Sequence, residues 1–137
     1  MSVAAPYDLK IEQGEDWNPM WSLKWPGSGN AVDLTGWTAH LQIRSIYYAS
    51  STLADLTTSN GGITLGGVNG TILFNLTAAQ TAAFFTGPSP TPVWQKINSR
   101  PYTKIGQYDL RLFNTGGKNI PIAGGNVLLA PSVTRAP

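Results

Sequence analysis

The sequence predicts a mainly β protein, an antiparallel sandwich or barrel formed by a single domain over residues 1–137. Apolar and polar residues alternate with period two in several short stretches, which is typical of half-buried strands. Turn-forming residues separate these stretches at fairly regular spacing. About seven or eight short strands in this arrangement favour a sandwich or barrel over alternating strand–helix units.

The clearest strand is predicted at 37–44, where one face is apolar and the other polar. The apolar face holds Trp37, Ala39, Leu41 and Ile43, and the polar face holds Thr38, His40, Gln42 and Arg44. Similar alternation predicts one face formed by Tyr7, Leu9 and Ile11 and another formed by Tyr108, Leu110 and Leu112. Further strands are predicted at 20–25, 53–58, 70–76 and 126–134.

One short helix is predicted at about 77–85. Thr77 is a good N-cap residue, and Gln80 follows three positions later, as a capping box requires. Alanine gives the segment high helix propensity, and the Thr-Gly-Pro sequence at 86–88 ends it. A helix this short is not stable alone, so we expect it to pack on the sheets.

The composition excludes several classes of function. Charged residues make up 12% of the chain, about half the usual share, and the net charge is +2. A charge this small argues against electrostatic binding of nucleic acid. The absence of cysteine excludes disulfides and thiol chemistry. No signal peptide or membrane span is recognised, so we expect a soluble protein made in the cytoplasm.

The glycine-rich segment 61–84 lies within a stretch, 56–95, that has no charged residue. It lacks the Lys-Ser or Lys-Thr of a phosphate-binding loop, and no helix begins directly after Gly70. The segment therefore predicts turns, a hairpin and the capped helix, with no cofactor site.

No catalytic or metal site can be assembled from the sequence. His40 is the only histidine and has no partner that spacing can nominate, so a surface role is favoured over a catalytic one. Glu12, Glu15 and Asp16 lie close together in the chain, but they lack the ligand spacing of a calcium loop. We expect a solvated turn there and no enzyme activity.

Two tryptophans, Trp21 and Trp25, are four residues apart and would share a face of a strand. If both were exposed, they could stack on sugar rings, as in a carbohydrate-binding module. Burial in the core is favoured, because large aromatic side chains mostly fill cores.

The segment 87–104 is predicted to be a proline-rich inserted arm. It holds four prolines and three basic residues with aromatic neighbours, and no acidic residue. This composition suits a protein interface better than a nucleic-acid site. The candidate contact residues are Trp94, Lys96, Arg100, Tyr102 and Lys104. The N-terminal residues 1–6 are expected to be extended and to contribute as well.

The chain resembles a group of small virion proteins of tailed bacteriophages, similar in character to the N-terminal domain of baseplate upper proteins. Four blocks in this order carry the resemblance. They are YDLKIEQGEDWNPMWSL, VDLTGWTAHLQIRS, LADLTTSNGGITLGGVNGTILFNLTAAQTAAF, and YDLRLFN before a closing stretch that ends in VTR. The DLTG block and the NGGI to LTAAQT block are fairly specific in combination, and the resemblance covers most of the chain.

The resemblance implies an immunoglobulin-like β-sandwich with one short helix. It implies a non-enzymatic structural role in the virion, in the tail, baseplate or neck, with other virion proteins as partners and several copies in a symmetric assembly. The family offers no catalytic residues, and its members pass from the helix to the YDLRL strand by a short turn, so 87–104 is an insertion. Two alternatives stay open, a capsid decoration protein and a carbohydrate-binding module for host attachment.

Overall fold

The computed structural model describes residues 5–45, 50–84, 95–97 and 100–130. The strands of the described residues are β1 (Ala5–Pro6), β2 (Leu9–Glu12), β3 (Met20–Ser22), β4 (Trp37–Arg44), β5 (Ala54–Thr57), β6 (Ile63–Leu65), β7 (Thr71–Phe74), β8 (Gln95–Ile97), β9 (Arg100–Asn114) and β10 (Asn119–Ala130). A 3-10 turn, Gly67–Asn69, connects β6 to β7, and the helix α1 spans Ala78–Ala82.

The described strands form two sheets. The larger has the order β1-β10-β9-β4-β5, with β2 also pairing with β10 and β8 with β9. The smaller has the order β3-β7-β6. Pairing is antiparallel except that β1 and β2 run parallel to β10. In the described residues the fold is a β-sandwich with one short helix, as the sequence pattern predicted, and it is immunoglobulin-like, as the resemblance to phage virion proteins implied.

The core lies between the sheets and follows the predicted alternation. In β4, Ala39, Leu41 and Ile43 are buried, while the residues between them are at least partly exposed. Leu41 pairs in register with Leu110 of β9, and both are fully buried. Burial of a leucine side chain contributes about 1.5–3 kcal/mol, so this central pair is a main stabilising contact.

The N-terminal strands differ from the prediction at one residue. Leu9 and Ile11 of β2 are buried as expected, but Tyr7 is 55% exposed. Tyr7 lies between β1 and β2, where its ring packs edge-on against Trp21 at a centroid distance of 5.2 Å. The alternation therefore holds only within the strand itself. Ala5 and Pro6 are paired in β1, and the rest of the predicted N-terminal segment, 1–4, lies outside the described residues.

The capping box predicted for the helix is present. Thr77 Oγ1 accepts a hydrogen bond from the Gln80 main-chain N–H, and Gln80 Oε1 accepts one from the Thr77 N–H. The helix itself is shorter than predicted, and Asp16 adds a contact that the sequence did not reveal. Its Oδ1 accepts a hydrogen bond from the Ala78 N–H over 2.8 Å, so the acidic turn helps to cap the helix.

Gly70 closes the hairpin between β6 and β7. Its φ is +69°, and a Cβ at this position would lie 2.7 Å from the carbonyl oxygen of Leu23 and 2.8 Å from that of Val32. Only glycine meets both requirements. The hairpin turn predicted within 61–84 is therefore also a point of close packing between two parts of the chain.

Candidate functional site

The structure brings part of the predicted arm into the larger sheet. Within 87–104, β8 and the start of β9 form a hairpin in which Lys96 lies opposite Pro101 and Ile97 opposite Arg100. The side chains of Lys96 and Arg100 lie outside what the structure describes, and so does the whole of Trp94. Their proposed role as contact residues stays a prediction.

Tyr102 lies inside the protein. It is 7% exposed and forms a small cluster with Leu128 and Ala130. Its hydroxyl donates a hydrogen bond to Glu12 Oε1 over 3.2 Å, which connects β9 to β2. Lys104, two residues along β9, is half-buried and lies opposite Leu128. Tyr102 therefore contributes to the stability of the fold, where the sequence had suggested an exposed contact.

An apolar groove opens between the smaller sheet and the margin of the larger one. Its volume is about 440 Å³. Ile72 of β7 and Ala123 of β10 lie in its lining and belong to the main core, with exposures of 1% and 4%. Tyr7 and Met20 also line it and are 55% and 61% exposed. The groove therefore opens from the surface toward the core.

Trp21 connects the groove to the interior. Its ring packs edge-on against Phe74 at a centroid distance of 4.9 Å, and Phe74 is fully buried. This groove was not predicted from the sequence. The apolar pair Met20-Trp21 was a local signal for it, but its other wall comes from β10, about 100 residues later in the chain, which local patterning does not place.

The polar face of the larger sheet holds His40. Its Nε2 lies 2.5 Å from Asp55 Oδ1, with the two side chains 36% and 47% exposed. Arg111, opposite His40 on β9, pairs with Asp109 over 2.9 Å. Exposed pairs of this kind contribute about 0–1 kcal/mol to stability. Within the described residues, the hydrogen-bond partner of His40 is a carboxylate and not a hydroxyl or thiol that it could activate.

The three clustered carboxylates do not converge on a metal site. The Glu12 carboxylate accepts a hydrogen bond from the Tyr102 hydroxyl, and the Asp16 carboxylate caps the helix. The main-chain oxygen of Glu15 accepts a hydrogen bond from the Thr81 hydroxyl over 2.8 Å. In the part of the chain that the structure describes, no group of three potential metal-ligating side chains is found.

The predicted burial of the tryptophan pair is wrong for one member. Trp21 is partly buried against the core, but Trp25 is 40% exposed. The reason is that β3 ends at Ser22, so Trp25 lies beyond the strand in a hairpin closed by its N–H bond to Asn30. Trp17 is 8% exposed and donates from Nε1 to the Lys10 carbonyl oxygen. The two tryptophans do not form a shared exposed platform for a sugar.

The chain is similar to known proteins only in its fold. No family model and no curated protein matches the chain. Three similar solved structures are extracellular domains 3–5 of Drosophila OTK, the extracellular domain of the sodium channel β4 subunit, and Tim-1. Their identities are 16%, 11% and 10%, and their TM-scores are 0.37, 0.40 and 0.37.

The matches cover 99%, 97% and 98% of this chain and 36%, 98% and 100% of those chains, in the same order. The chain thus spans about a third of the length of the OTK structure it matches.

Within the described residues, no helix is both long and apolar enough to cross a bilayer.

Proposed function

We propose that this chain is a non-enzymatic structural subunit of a tailed-bacteriophage virion, located in the tail, baseplate or neck. In this role it makes repeated contacts with neighbouring virion proteins and is present in several copies of a symmetric assembly. The observation that carries the proposal is the resemblance of its ordered sequence blocks to small phage virion proteins, above all DLTG followed by NGGI to LTAAQT.

The residues of these blocks have defined structural roles in the fold. In DLTG, Asp33 Oδ1 accepts a hydrogen bond from the Thr35 N–H over 2.9 Å, and Gly36 has a φ of +82° directly before β4. Hydrogen bonds from Thr35 also hold the pKa of Asp33 below its usual value. The block is thus a turn that sets the start of the central strand.

The second block begins with a similar device. Asn60 Oδ1 accepts hydrogen bonds from the N–H groups of Thr57 and Gly62, and its amide donates to the Asp55 carbonyl oxygen. The side chain thereby fixes the turn between β5 and β6. Low charge also supports the proposal, because permanent interfaces exclude unpaired charges from their cores.

Particle composition tests the proposal. Phage particles are purified by density gradient from a lysate of the phage that encodes the chain, and their proteins are quantified by mass spectrometry. We expect the chain at a fixed stoichiometry, with gold-labelled antibody on the tail, baseplate or neck in electron micrographs. Label spread over the capsid would instead favour a decoration protein, and absence from purified particles would contradict both virion roles.

A further inference from the structure

Among the residues that the structure describes, β3 is an edge strand, and this edge and the apolar groove beside it point to a docking site. We propose that this site binds an extended, uncharged polypeptide segment of a neighbouring subunit, which adds as a strand to the smaller sheet. The inference rests on the proposed function, in that it takes the partner to be another protein of the same assembly. It specifies where one such contact lies and what kind of segment fills it.

The first observation is the hydrogen-bonding state of β3. Trp21 pairs in register with Ile72, and Leu23 N donates to the carbonyl oxygen of Gly70, the residue directly before β7. Because hydrogen bonding alternates along antiparallel strands, the main-chain N–H and C=O groups of Met20 and Ser22 point away from β7. No other described strand pairs with β3 on that side, so these groups form a short template for a further strand.

The second observation is that the groove lies beside this edge. Met20, Trp21 and Ser22 line one wall, and Ile122 and Ala123 of β10 line the other. Ile122 and Ala123 are 7% and 4% exposed and belong to the main core. A strand paired with β3 would place alternate side chains into the groove and cover this opening of the core.

The third observation concerns charge. No side chain that lines the groove is charged at neutral pH. A charged group of the occupant would lose its hydration there without meeting an opposite charge, which is costly. The β5 edge of the larger sheet differs, because it carries Asp55, with its side chain 47% exposed. A charge on an edge strand discourages pairing with other chains, so of these two edges β3 is the more receptive to an added strand.

A peptide titration tests the site on the intact chain. The probe is a heptapeptide of alternating threonine and valine, acetylated and amidated at its ends, and the readout is the ¹H–¹⁵N NMR spectrum. We expect saturable shifts of the amides of Met20, Ser22, Ile122 and Ala123. A peptide with glutamate in place of threonine should bind at least about tenfold more weakly, because its charges lie beside an uncharged groove.

Two variants and a control localise the binding. Ser22→Pro removes an outward N–H that the added strand would need, so it should abolish the shifts. We expect this variant to fold, because proline is tolerated where the N–H of an edge strand faces solvent. Met20→Lys brings a charge to the rim and should weaken binding even if the proline variant fails to fold. Val68→Lys, at a position that is 67% exposed and does not line the groove, should leave binding unchanged.

The proposal is overturned if millimolar peptide causes no shifts, if the β5 and β6 edges respond equally, or if Met20→Lys and Val68→Lys bind alike. It is also overturned if Val3→Glu alone shifts the Met20 and Ser22 amides, which would assign the groove to the chain's own N-terminal segment. The titration needs no particle. Its failure would leave the virion proposal standing, and absence of the chain from particles would leave the titration result standing.

Discussion

Tyr108 Oη donates a hydrogen bond to the main-chain carbonyl oxygen of Tyr7 over 2.5 Å and so connects β9 to the linker between β1 and β2. Tyr108 is 3% exposed, so loss of its hydroxyl would remove a hydrogen bond made by a buried side chain. We expect Tyr108→Phe to lower the free energy of unfolding by about 1–2 kcal/mol, measured by urea denaturation at pH 7. Tyr7→Phe is the matched control, since Tyr7 is exposed and should change stability by less than about 0.5 kcal/mol. Equal losses in both variants would contradict this role.

The same hydroxyl predicts a loss of stability at alkaline pH. Burial, with smaller contributions from the nearby charges of Asp8 and Tyr7, raises the pKa of Tyr108 above its ordinary value. Above about pH 10 the unfolded chain releases this proton while the folded chain keeps it, so stability that is complete below pH 10 falls as pH rises. The slope from this group approaches about 1.4 kcal/mol per pH unit.

Urea midpoints at pH 9, 10 and 11 measure this effect. The wild-type protein should lose stability more steeply than Tyr108→Phe over this interval, because the variant lacks the titrating hydroxyl. Parallel pH profiles for the two proteins would show that other groups cause the alkaline loss.

Local patterns in the sequence predicted the elements that local physics controls. The buried residues of β4 follow from strict alternation, and the Thr77 cap follows from the spacing to Gln80. Both depend on residues within one strand or one helical turn. The exposed face that contains His40 was predicted for the same reason, since a strand assigns its residues to faces without reference to distant partners.

Features that depend on distant pairing were not predictable in this way. The parallel pairing of β2 with β10 joins Leu9 to Val127, and nothing in either segment specifies the other. Tyr102 was assigned to the inserted arm as a candidate contact residue from composition, but β9 runs back to Arg100 and carries Tyr102 to the cluster beside Leu128. The groove at β3 could not be predicted from local patterns, because its lining combines residues near the two ends of the chain.

Thr81 offers a test of the contact between the helix and the acidic turn. Its hydroxyl donates to the Glu15 carbonyl oxygen over 2.8 Å and accepts from the Gly14 N–H over 3.0 Å, and the residue is fully buried. Thr81→Val keeps the shape but removes both bonds, so we expect a loss of about 1–3 kcal/mol in urea denaturation. Thr64→Val makes the same change at an exposed strand position and should cost less than about 0.5 kcal/mol. A small loss at Thr81 would mean that water replaces the hydroxyl.

Gly70 and Gly61 form a third matched pair. Both have positive φ, +69° and +82°, but a Cβ at Gly70 would meet two carbonyl oxygens, while one at Gly61 would meet nothing within 4 Å. Alanine at Gly61 should cost about 1–2 kcal/mol through backbone strain alone. Alanine at Gly70 should cost clearly more, because Leu23 or Val32 must also move. Thermal unfolding measured by circular dichroism compares them, and equal shifts in Tm would rule out the packing contribution.

The segment 87–104 can be divided by experiment into a part that stabilises the fold and a part proposed to make contacts. Tyr102→Ala removes a buried ring and its bond to Glu12, so we expect a loss of about 3–5 kcal/mol in urea denaturation of the isolated protein. Trp94→Ala and the double variant Lys96→Glu/Arg100→Glu are expected to keep a urea midpoint close to that of the wild type. If the proposed contact role is correct, these variants should reduce incorporation of the chain into phage particles, measured by quantitative mass spectrometry of gradient-purified virions. Normal incorporation of both the Trp94→Ala and the Lys96→Glu/Arg100→Glu proteins would contradict the contact role of the arm. Loss of incorporation in Tyr102→Ala alone would not support that role, because this substitution acts through the stability of the fold.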